Sequence, residues 1–145
     1  MSETTIAGVG VLMVLTLLLL AALHFYWALG GGWGRGAVLP ERAGRPTFRP
    51  GRVGTAAVGV GLSGAALVLA LRSGALSYLV GGPLVRWASW LITAAFLLRA
   101  VGDFRLVGLF RRERGTRFAY WDARLYTPLA LALGLGAALI ASGAG

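Results

Sequence analysis

The chain has 145 residues, of which 57% are hydrophobic and 13% charged, and it contains no Cys. A soluble domain carries about 25% charged residues, so lipid is the expected solvent for most of this chain, and disulfides, thiol redox chemistry and Cys-ligated metals are excluded. The net charge of +9 rests on 14 Arg and no Lys; these Arg residues fall between apolar runs instead of forming one basic face, which fits membrane-protein loops and argues against a nucleic-acid partner.

No charged residue lies between Glu3 and Arg35. A bilayer core takes about 20 apolar residues to cross, and residues 5–29 supply a first span. A cleaved signal peptide has a basic start and an apolar core of about 7–15 residues. This run has neither, so it is expected to be retained. The span ends in His24-Phe-Tyr-Trp27 and then Gly30-Gly-Gly-Trp33. Glycine stops the helix, and Tyr26, Trp27 and Trp33 suit an aromatic belt at headgroup level.

Residues 31–52 form a basic loop with Arg35, Arg42, Arg45, Arg49 and Arg52 against Glu41, and Pro40, Pro46 and Pro50 are expected to keep it non-helical. A second span covers residues 53–71, with small residues four apart at Gly59 and Ser63 and at Gly61 and Ala65, a spacing that admits a neighbouring helix. The turn at 72–83 carries only Arg72, with Tyr78 suited to the interface and Pro83 placed to open the next helix. A third span at 84–102 is bracketed by Arg86 and Arg99, with Trp87 and Trp90 as belt residues.

The second basic loop, 103–124, holds Arg105, Arg111, Arg112, Arg114, Arg117 and Arg124, offset by Asp103, Glu113 and Asp122. Phe104, Val107 and Phe110 within it suit a short amphipathic segment on the membrane surface. A fourth span at 125–144 carries the small-residue stripe Ala130, Gly134 and Ala138; Pro128 either sits in its first turn or kinks it. The fold class is thus all-α: one domain, a bundle of four membrane-spanning helices. The Arg-rich loops are expected in the cytoplasm, which puts both termini on the non-cytoplasmic side. Arg45-Pro-Thr-Phe48 faintly echoes Arg114-Gly-Thr-Arg-Phe118, a hint of two helical hairpins.

Two stretches carry a family resemblance: His24-Phe-Tyr-Trp27 with Gly30-Gly-Gly-Trp33, and Gly102-Asp-Phe-Arg105 followed by Thr116-Arg-Phe118, Asp122 and Tyr126-Thr-Pro128. In their order and spacing they resemble the small four-span bacterial membrane proteins grouped as domain of unknown function 3995. The resemblance implies a multi-pass protein of the bacterial cytoplasmic membrane and includes His24, Trp27, Asp103, Arg105, Asp122 and Tyr126 in the family's pattern. It implies no reaction.

Most residues of chemical potential lie at one depth, at the end carrying the basic loops. The candidate site is His24, Trp27, Arg99, Asp103, Arg105, Asp122, Arg124 and Tyr126. Ionisable groups in spans default to function. Arg99 and Asp103 are spaced to share a helical face, as a structural pair or as part of a site. Asp122 is either a helix N-cap or a site residue. His24 is either an interhelical hydrogen bonder or a proton carrier. His24, Arg99 and Asp103 are expected to meet. Arginine forks hold phosphate or carboxylate, so the expected ligand is an amphiphile or anion such as a lipid or isoprenoid headgroup. The alternatives are an accessory or assembly subunit and a small oligomeric transporter; whether the protein is an enzyme stays open. Membrane lipids, and a second copy or another membrane protein, are the expected partners. No cofactor and no metal are expected, since a single His has no ligand motif around it.

Overall fold

A computed structural model describes residues 3–42, 45–74 and 82–143. Tyr78, expected at the interface, lies outside the described residues. Four helices are long and apolar enough to cross a membrane. The first is α1 (Glu3–Ala28), the second α3 (Arg52–Arg72) and the third α4 (Pro83–Val101). The fourth span runs from Arg117 to Gly143. It comprises α5 (Arg117–Trp121), a π-turn (Asp122–Tyr126) and α6 (Thr127–Gly143) in unbroken succession.

This last helix begins well before residue 125, where the sequence predicts its start. Thr116 is its N-cap, its hydroxyl accepting the Ala119 N–H at 3.1 Å. Arg117 and Arg124 are two turns apart on the exposed face, whereas Phe118, Ala119 and Asp122 are buried. A charged but amphipathic opening is still helix; what made it read as loop was its charge content. Asp122 is therefore an interior helix residue, not an N-cap.

The first basic loop also departs from expectation. It contains a single helical turn, α2 (Arg35–Val38), and an antiparallel pair of two-residue strands, β1 (Glu41–Arg42) and β2 (Arg45–Pro46). Pro40 and Pro50 flank these pieces, and Pro46 lies within β2, opposite Glu41. Ala37 of α2 is buried where α2 packs on α5, so the first loop folds against the start of the fourth helix.

Helix α1 packs chiefly on α3, and α4 on α6, so that consecutive spans pair; smaller α1–α6 and α3–α4 contacts close the bundle. Leu17, Leu69 and Ile140 are fully buried among Ile6, Met13, Ala66, Leu133 and Ala137. At the end away from the long loops, Arg72 donates to the Ala141 carbonyl in the last turn of α6 at 3.1 Å. The outer surface is apolar. Val53, Val60 and Leu67 on α3, and Leu84, Leu91 and Leu98 on α4, recur every seven residues and are exposed. Two turns of helix return a residue close to the same face, so these stripes are the lipid-facing sides.

Small residues set the closest approaches. A Cβ on Gly134 would come within 2.6 Å of the Leu97 side chain and 3.2 Å of its backbone nitrogen, and one on Gly59 would meet the Phe25 ring at 2.9 Å. Gly61, by contrast, is exposed and would meet nothing within 4 Å, so of the two small pairs on α3 only that containing Gly59 has its glycine against α1. Gly134→Leu is expected to lower the Tm in detergent sharply, since overpacking costs about 1–3 kcal/mol or more. Leu135→Ala, on the lipid side of the same helix, should move it little. Equal shifts in the two variants would remove Gly134 from the interface.

Candidate functional site

Asp122 is completely buried, and its carboxylate is saturated with donors. Oδ1 accepts from Arg99 Nη2 at 2.6 Å. Oδ2 accepts from the Gly108 N–H at 2.8 Å, Thr127 Oγ1 at 3.0 Å and Arg111 Nη1 at 3.2 Å. A charge removed from water needs both counter-charge and hydrogen bonds, and here three segments supply them: α4, the second loop and the fourth helix. The π-turn makes part of this possible. In that geometry the residue five positions on comes into register with the first; the Thr127 N–H bonds the Asp122 carbonyl, and the Thr127 hydroxyl reaches the carboxylate. Pro128 follows directly. It lacks an N–H, and its ring conflicts with the preceding turn of an α-helix, a conflict that the wider π-turn accommodates within a continuous helix.

The expected Arg99–Asp103 pair does not form. Helix α4 ends at Val101, and Gly102 turns away at φ +86°, so the one-turn spacing never lies on a helix. Asp103 instead caps its own loop, its Oδ1 accepting the N–H groups of Arg105, Leu106 and Val107 at 2.9, 2.7 and 2.9 Å. Partial burial by itself would raise its pKa, but these backbone donors outweigh burial and hold the carboxyl below its ordinary value. The segment is a tight turn: Phe104 has φ +62°, Gly108 has φ +90°, and the Leu109 N–H returns to the Ala100 carbonyl at 2.8 Å. Folding back in this way delivers the Gly108 N–H and the Arg111 guanidinium to Asp122. Phe104 and Phe110 stack outside, with centroids 5.8 Å apart.

Above the packed middle of the bundle, the long-loop end opens into a cavity of about 320 Å³. Leu20, Leu62, Phe96, Leu129 and Leu133 line its deeper part; His24, Trp27, Arg99, Phe118 and Tyr126 line the part nearer the loops. His24 Nδ1 lies 2.7 Å from the Leu20 carbonyl, and its ring meets Trp27 edge-on at 5.2 Å. The Tyr126 hydroxyl donates to the Ala37 carbonyl at 3.3 Å. Trp27 is buried and donates to the Trp33 carbonyl at 2.8 Å, so it is a wall of the cavity and not a belt residue; Tyr26 and Trp33 are exposed.

Of the eight candidates, His24, Trp27, Arg99 and Tyr126 line this one cavity. Asp122 stands behind it, holding Arg99. Asp103 does not line it, so of the three residues expected to meet, only His24 and Arg99 line the same cavity. Arg105 points into a surface recess with Arg42 and Arg112, its carbonyl capping the Arg112 and Glu113 N–H groups at 3.0 and 2.9 Å. Arg124 lies over the exposed Tyr120 ring at 4.0 Å. The sequence left Arg111 and Thr127 outside the candidate site. Arg111 was indistinguishable from its loop neighbours, while the five-residue step from Asp122 to Thr127 is a signal only once a π-turn is suspected. Among the described residues, no three His, Asp or Glu side chains gather as metal ligands would.

These features define a multi-pass, four-span helical protein with a buried carboxylate–arginine cluster beside an apolar cavity. Residues 17–137 match the profile of a family described as protein of unknown function (DUF3995), and the chain belongs to that family. No curated protein and no solved structure is detectably similar.

Removing Asp122 leaves two guanidinium groups in or near the interior without their counter-ion. Asp122→Asn is expected to cost about 3–5 kcal/mol, read as a large fall in Tm or a loss of folded protein from detergent extracts. Arg99→Gln should cost clearly less, because Asp122 keeps Arg111, Thr127 and Gly108. The reverse order would mean that Asp122 does not organise the cluster.

Proposed function

We propose that this protein binds an amphiphilic, lipid-like molecule in the cavity at its long-loop end. The observation supporting this is the gradient within one cavity: apolar side chains from α1, α3, α4 and α6 at depth, and His24, Arg99 and Tyr126 towards the loops. Its volume is within the range of small-molecule sites, about 300–1,000 Å³. A hydrocarbon tail matches the deep part and a polar head the rim. Native mass spectrometry of protein extracted in mild detergent is the direct test. A copurifying adduct is expected on the wild type and not on Val58→Trp, which fills the cavity wall. A clean apo spectrum from gentle extraction would sink the reading.

The Arg-rich loops favour placing this rim in the cytoplasm, with the chain in a bacterial cytoplasmic membrane. The absence of Cys makes single-Cys labelling unambiguous. Ser142→Cys should react with an impermeant thiol reagent applied to intact cells, and Gly115→Cys only after lysis. The opposite pattern would put the rim on the outer face.

A second reading, an accessory subunit packed against another membrane protein or a second copy, takes its support from α3. Gly54, Gly61 and Gly64 there open on space instead of on a neighbour. Cross-linking from these positions to another chain, combined with an absent adduct, would favour it.

A further inference from the structure

A second chamber of about 230 Å³ adjoins the first, and the two have His24, Trp27, Val38 and Val58 in common. The second chamber is lined on its far side by Arg35, Phe48 and Thr55. Resting on the amphiphile reading above, we propose that the two chambers form one site for an acid-headed amphiphile. The tail lies in the deep apolar chamber, and a carboxylate or phosphate head sits at the His24–Trp27 wall between Arg99 and Arg35.

Three independent observations assign the acid. First, neither chamber has an Asp or Glu in its lining, while each has one Arg. Second, the buried cluster holds two guanidinium groups against one carboxylate, so it retains a positive charge. Third, Arg99 spends only Nη2 on Asp122, and its side chain stays 35% exposed on the cavity wall. A guanidinium in that position is matched by an anionic oxygen, which accepts its N–H and neutralises its charge. Arg35 makes no ion pair among the described residues, so its charge is also available. Asp122 is a positioning residue here: it aims Arg99 without facing the ligand. A trimethylammonium head would meet two like charges, and an uncharged head could accept a hydrogen bond but would leave both charges unneutralised.

The test uses purified full-length protein in a neutral maltoside detergent and reads Tm against dodecanoate, dodecyl phosphate, dodecanol and inorganic phosphate. Dodecanoate or dodecyl phosphate should raise the Tm in a saturable way, and dodecanol should require at least roughly tenfold more, the scale of one charge-assisted hydrogen bond. Arg35→Gln removes no side-chain hydrogen bond among the described residues and should weaken the acid probes roughly tenfold, and dodecanol by clearly less. Arg99→Gln should do the same where it folds; Arg35→Gln keeps the test decisive where it does not. Dodecanol matching the acids would overturn the acid head and leave the amphiphile reading standing. No response to any dodecyl probe would overturn both. Inorganic phosphate stabilising as strongly as dodecyl phosphate would also overturn the proposal, because the apolar chamber would then contribute nothing.

Discussion

A fully buried carboxylate sets the terms for the long-loop end of this protein. Asp122 cannot be left uncompensated in the interior, where an isolated ionised group carries a prohibitive cost. Its partners come from α4, from the loop after α4 and from the helix that carries it. Meeting that one demand fixes where the loop lies against the bundle. It also fixes which side of Arg99 is occupied, and so which side faces the cavity.

The local backbone serves the same end. Two glycines with positive φ, Gly102 and Gly108, lie so close that a Cβ on either would collide with the other's neighbourhood. The Asp103 carboxylate staples the chain between them. On the opposite wall, the π-turn just ahead of Pro128 brings Thr127 beneath Asp122. Two motifs that look unrelated in sequence, Gly102-Asp-Phe-Arg105 and Tyr126-Thr-Pro128, are thus the two sides of one carboxylate site. One motif shapes the loop that donates, and the other shapes the helix that accepts.

The bundle is unevenly filled. Around Ile6, Met13, Leu69, Ala137 and Ile140 the four spans interlock, with Met13 against Gly136 and Ile6 against Gly143. Towards the loops, aromatic side chains and arginines replace these small and branched residues, and the helices no longer close on each other. Space opens where rigid rings and a held guanidinium cannot collapse, next to the groups able to bind a polar head.

The number of spans, their approximate ends and their lipid-facing character follow from the sequence alone, because hydrocarbon tolerates neither charge nor unpaired backbone over about 20 residues. The depth at which chemistry gathers was legible for the same reason: charge is confined to the ends, and His24, Trp27, Arg99 and Tyr126 do share a cavity. The start of the fourth helix was not legible, since an amphipathic opening turn with Arg117, Asp122 and Arg124 has the composition of a loop. Nor was the choice of partner for Arg99. Asp103 is nearer in sequence and correctly spaced for a helix, but that spacing has meaning only if the helix continues, and Gly102 ends it. Asp122, 23 residues away from Arg99 in sequence, wins because α4 and the fourth helix pack side by side. Only the tertiary structure brings those positions together and, with the loop folded over them, excludes the water that would otherwise make either pairing weak.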